Sequence, residues 1–196
     1  MSVLSFLATL IPSTRKLQML RAAHDVYVTI VAQARQPFLY IDGGIEDDVD
    51  GRFDSIVLHV ALMVHRLDVD EAGKTEAEAL AHELIGVFND DMDRNLREMG
   101  VGDLSVGKHV KKMAQAFFGR FNAYREALKT RDTVALNDAI HRNVYRGRDV
   151  DAAQIEALGE YAMAYRDFLD TQETQRLAAG KLDMFDYAFT SKGETS

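Results

Sequence analysis

The chain contains no cysteine. That excludes disulfides and thiolate metal ligands, and it fits a reducing compartment or one indifferent to redox. Proline is nearly as scarce. Only Pro12 and Pro37 occur, so everything after residue 37 can be helical without a proline break. Long apolar runs are missing too. Residues 1–12 carry Val3, Leu4, Phe6, Leu7, Leu10 and Ile11, but such a run is too short to span a bilayer. It has no charged start and no small-residue cleavage site, so it does not read as a signal peptide. It is expected as an apolar N-terminal arm that packs on the body, on a partner or on a membrane surface. Positive charge is in deficit, with 23 Lys and Arg against 31 Asp and Glu and a net charge of -8. Bulk binding to nucleic acid, DNA above all, or to anionic lipid is disfavoured, which leaves only a local basic face for such contacts.

What is present is helical periodicity. A length of 196 residues suits one good core. The central stretch runs from Glu83 to Leu128, where two amphipathic patterns meet at Gly100-Val101-Gly102-Asp103. Leu80, Leu84, Phe88, Met92 and Leu96 recur every four residues before the joint; Val106, Val110, Met113, Phe117, Phe121, Tyr124 and Leu128 form the stripe after it. Thr75 is the expected cap of the first of these helices, and Asp103 or Ser105 of the second. Upstream, Ser13 or Thr14 starts a helix that ends at Gln36-Pro37, since the residue before proline avoids the α region. Residues 38–51 read as an extended acidic loop, with Phe38-Leu39-Tyr40-Ile41 docking its aromatics on the helices. Phe53 to Val69 is apolar nearly all round and is expected to be the central, buried helix. Asp132 or Thr133, and then Asp149 or Asp151, cap two further helices. About six helices of this kind bury their stripes only against one another, so the expected fold is all-α, a single compact domain over 13–190 with a frayed tail at 191–196.

Chemistry is thin on the ground. Asp90, Asp91 and Asp93 are oxygen ligands of the type magnesium or calcium takes. Set mid-helix, though, they point in different directions, and a salt-bridged or solvated face accounts for them. A divalent-ion-dependent enzyme built on them stays as an alternative. No histidine pair has zinc or di-iron spacing, and there is no nucleophile elbow, P-loop or dinucleotide fingerprint. Arg97 stands in the last turn of its helix, where it suits the dipole. Lys108, Lys111 and Lys112, with Lys129, make the only basic face. It is a solvated face, or a patch for RNA or an acidic partner in a generic adaptor. Gly119 in mid-helix costs roughly 1 kcal/mol against alanine, which suggests close approach by another backbone.

Together, Gly51-Arg52-Phe53-Asp54 leading into His59, Phe88-Asn89-Asp90-Asp91-Met92-Asp93 with Leu96-Arg97-Glu98-Met99-Gly100, and Phe117-Phe118-Gly119-Arg120 with Ala123-Tyr124 resemble the ubiquinol–cytochrome c chaperone family over roughly residues 40–128. The resemblance implies an assembly factor without enzymatic activity or cofactor. It implies binding of newly made cytochrome b during assembly of the bc1 complex, with a ribosome and a small partner chaperone subunit as further contacts. The partner-binding candidates are Asp90, Asp91, Asp93, Arg97, Phe118, Gly119, Arg120 and Tyr124 from the motifs that carry the resemblance, and Lys108, Lys111 and Lys112 from the basic face. Phe118 stands where the family often has tyrosine, so no role here rests on a hydroxyl. Without the family's mitochondrial presequence, a bacterial member is expected, cytoplasmic or peripheral at the inner membrane.

Overall fold

The computed structural model describes residues 14–98, 100 and 103–187, with 103–106, 109 and 110 described by backbone alone. The arm at 1–12, the tail at 191–196 and the expected caps Ser13, Asp103 and Ser105 lie outside that description. Among the described residues eight helices follow in order: α1 Thr14–Ala34, α2 Pro37–Ile41, α3 Val49–Asp68, α4 Lys74–Glu98, α5 Asp103–Thr130, α6 Thr133–Asn143, α7 Ala152–Thr171 and α8 Thr174–Ala178. There is no strand among the described residues.

The count exceeds six because two single-turn helices escape a periodicity argument. Phe38 to Ile41, expected as extended loop, instead forms α2. Pro37 opens it, its fixed φ being ready for a first helical turn, and the Tyr40 hydroxyl donates to the Ala34 carbonyl at 2.8 Å, folding the turn back on α1. The acidic loop therefore shortens to residues 42–48. Its Asp48 accepts from the Gly51 amide at 2.6 Å and caps α3 four residues earlier than the apolar pattern suggests.

Helix α3 is the axis of the fold. Every residue from Asp54 to Leu67 is buried, and α1, α4, α5 and α7 all pack on it. An element covered on all sides needs no polar face, which is why its apolar residues run nearly all round. Helices α1 and α4 pack along each other, and α4 and α5 form the expected hairpin. Gly100 closes α4 with φ +81, a left-handed cap that glycine takes freely, its amide donating to the Arg97 carbonyl at 3.0 Å. Thr75 does not cap α4, because the helix already starts at Lys74; the Asp70 carboxylate holds the turn before it by accepting from the Gly73 amide at 2.9 Å. Asp132 and Asp151 do cap α6 and α7, accepting from Ala135 and Ala153.

The core includes one fully connected polar chain. His59 Nδ1 lies 2.7 Å from the Ser55 carbonyl, so it carries the proton. Its Nε2, 2.7 Å away, then accepts from the Tyr161 hydroxyl. That hydroxyl in turn accepts from the Gln33 amide at 3.1 Å. The same amide group grips the backbone of Phe185 in both directions, donating to its carbonyl and accepting from its N–H, each at 3.1 Å. Residues 181–187 are thereby held across α1 and α7, with the Phe185 and Tyr187 rings set among Phe38, Tyr161 and Tyr165. Burial holds the His59 pKa down at about 4.

Candidate docking surface

The residues singled out from sequence do not converge on one site; the fold distributes them over three places. On the α1–α4 side, Asp91 accepts from the Tyr27 hydroxyl at 2.8 Å. Asp93 pairs with Arg97 one turn along at 2.6 Å, and Asp90 is exposed beside a shallow groove with Leu20 and His24. An exposed pair of that kind contributes little stability. On the outer face of α5, Lys108, Lys111, Lys112, Phe118 and Gly119 are all exposed, Phe118 at 46%. Inside, Tyr124 is fully buried and packs in the core.

Gly119 departs from expectation. A Cβ there would meet nothing within 4 Å, so among the described residues no other backbone approaches it. The close contact is at Gly51 instead, where a Cβ would run into the Glu46 carbonyl oxygen. The Asp48 cap folds the 46–51 turn tightly enough to need a missing side chain.

Arg120 belongs to a buried charge cluster. The Asp54 side chain is completely buried. Arg146 donates to its Oδ2 from Nε at 2.9 Å and from a terminal nitrogen at 2.8 Å. Arg120 lies 2.8 Å from Oδ1, an ion contact without hydrogen-bond geometry. Arg146 also reaches Asp50 at 2.6 Å. Burial pushes the Asp54 pKa up, and the two guanidiniums oppose that shift. One carboxylate thus joins α3, α5 and the turn after α6. Arg120 also lies over the Phe53 ring, 5.4 Å from its centroid.

Phe53 leads to the surface that sequence reasoning missed. At the end of the molecule beside the Gly100 turn, α3, α4 and α5 leave a groove of about 320 Å³. Its apolar floor is Phe53, Ile56, Met92, Leu96 and Met113, with Arg35, Arg52 and Glu98 at the rim. Arg35 and Arg52 also border a second hollow of about 430 Å³ beside Tyr40 and Ile41. The two form one trough, flanked by Ile41 and Val49, which are 76% and 66% exposed. The sequence did carry a signal for it, two bare aliphatics within an acidic segment.

Among the described residues, no group of three or more His, Asp or Glu side chains is placed to hold a metal ion. With Asp91 engaged by Tyr27 and Asp93 by Arg97, the ion-dependent alternative has no ligand set. The trough is apolar at its base and charged at its edge.

The model of the family described as "Ubiquinol-cytochrome C chaperone" matches residues 42–185. The chain belongs to that family. Membership makes it a chaperone rather than an enzyme. Among curated relatives, a "Ubiquinol-cytochrome-c reductase complex assembly factor 1" from Xenopus laevis is 23% identical over 157 residues, 80% of this chain and 76% of that protein. Among solved structures, the crystal structure of the Cbp3 homolog from Brucella abortus superposes with a TM-score of 0.74 at 36% identity, covering 85% of this chain and 90% of that one. The family match extends well past the motifs at 40–128, through α6 and α7 to the Phe185 held by Gln33.

Proposed function

We infer that this chaperone binds newly made cytochrome b and holds an apolar segment of it in the trough between α2 and α5 during assembly of the bc1 complex. The observation that carries the reading is the trough itself. A membrane subunit caught before insertion presents apolar helices and charged loops, and a receptor for it needs exposed apolar surface with charge at the border. Half-buried Phe53 and Met113, with the exposed Ile41 and Val49 at the flank, supply the first; Arg35, Arg52, Asp47 and Glu98 supply the second. Binding of a ribosome or of a small partner subunit would use another face, such as the α1–α4 side with Asp90. We place this work in the cytoplasm, at the membrane surface where the client is made.

A photo-crosslinking side chain at Ile41 or Val49 tests the assignment. Cytochrome b should be captured from both positions, and not from Val134, which is 71% exposed. Capture from Val134 alone would move the client surface elsewhere; no capture of cytochrome b, together with normal bc1 levels in a deletion strain, would remove the reading.

A further inference from the structure

Most arginines of this chain are already engaged. Arg52, Arg66, Arg120, Arg131, Arg146 and Arg176 each pair with a carboxylate of the same chain. The lysines of α5 are different. Lys108, Lys111 and Lys112 are exposed and have no ion-pair partner among the described residues, although the chain has an excess of acid. At about 100° per residue, Lys108, Lys111, Lys112, Phe118, Gly119 and Lys129 share one outer sector of the helix. The sector runs roughly 30 Å at the helical rise. One acid, Glu126, falls within it, beside Arg125 at 3.9 Å. Gly119 leaves the helix surface bare next to the Phe118 ring, which is 46% exposed with Phe117 against one side, and among the described residues a Cβ at Gly119 would meet nothing within 4 Å.

We propose that this face of α5 docks the protein on an anionic lipid bilayer, the lysines lying over the headgroups and Phe118 entering the interface. An ammonium on a long flexible stem suits a diffuse negative surface. Recognition of individual phosphates favours the planar fork of arginine, and most arginines here are committed elsewhere. An exposed aromatic ring among lysines is the pairing by which interfacial helices hold a membrane. Because the whole molecule carries -8, an anionic bilayer repels every other orientation, so the face also fixes how the protein stands on it. The proposal is independent of where the client binds.

The test is co-sedimentation of the full chain with phosphatidylcholine vesicles, with and without phosphatidylglycerol, at low and high salt. Binding should require the anionic lipid and weaken with salt. The Lys108→Glu/Lys111→Glu/Lys112→Glu variant should lose on the order of a hundredfold in partitioning, and Phe118→Ala several-fold, both with an unchanged circular dichroism spectrum. Equal binding to neutral vesicles, a triple variant that binds as the parent does, or retention by RNA with no binding to vesicles would each overturn the proposal. Crosslinking of the client at Ile41 and Val49 is unaffected by any of these results, so the two assignments fail separately.

Discussion

Asp54 and Arg120 meet 2.8 Å apart with the carboxylate fully buried, and Arg146 completes the pairing from the opposite side. Removing one member of a buried pair leaves an uncompensated charge in the core, at a cost of about 3–5 kcal/mol. Asp54→Ala should lower stability by that order in urea unfolding, because it leaves the largely buried Arg120 guanidinium without its carboxylate, while Arg146 keeps Asp50. Arg120→Ala should cost less, since Arg146 still satisfies Oδ2.

Acid should weaken the fold well above the usual carboxylate range. His59 is held neutral by burial, with its pKa down at about 4 against 6.5 for the free side chain, and burial lowers His65 as well. Between those values the unfolded chain binds protons that the folded chain refuses. The stabilisation is therefore complete above pH 6.5 and is lost as pH falls towards 4. The His59 contribution is about 3 kcal/mol. Urea midpoints measured across that interval should fall steadily. Asp70, held at about 2 by its hydrogen bonds from Thr174 and Gly73 and by Arg66, acts only at lower pH.

Gly119→Ala should stabilise the protein by up to about 1 kcal/mol, because the site is exposed mid-helix with room for a methyl group. Gly51→Ala should do the opposite, since its methyl would collide with the Glu46 carbonyl. Thermal melts of the two variants should shift in opposite directions.

Ile41→Asp and Val49→Asp, at the flank of the trough, should leave thermal stability within about 0.5 kcal/mol of the parent, as exposed substitutions do. They should lower bc1 levels in cells that depend on the variant. Normal bc1 levels in both would place the client off the trough.

Gln33→Ala should free residues 181–187 while α1 to α7 stay folded. Hydrogen exchange at the Phe185 amide should rise sharply, with much smaller change in α3.

Much of this architecture was readable from spacing alone. The α3 stripe, the α4–α5 hairpin, the Gly100 stop and the Asp132 and Asp151 caps all follow from local patterns, in which each residue's role depends on neighbours within two turns. What escaped was non-local. Phe38 to Ile41 folds as a turn because Tyr40 reaches Ala34, a contact that periodicity does not encode. The Asp54 cluster unites residues separated by 92 positions or thereabouts. The trough is assembled from residues of α3, α4 and α5 with Arg35, positions that no local pattern links. Of the residues chosen as a partner surface, Asp90, Arg97 and the three α5 lysines are exposed, Asp91, Asp93 and Arg120 are half-buried, and Tyr124, taken from a motif, is buried.

The grip of Gln33 on Phe185 spans 152 positions. During synthesis, the aromatic layer beneath it stays open until almost the entire polypeptide has emerged, whatever the earlier helices have achieved. A protein that shelters another's unfinished chain thus passes through an unfinished stage of its own, and truncation near residue 180 should leave it arrested there.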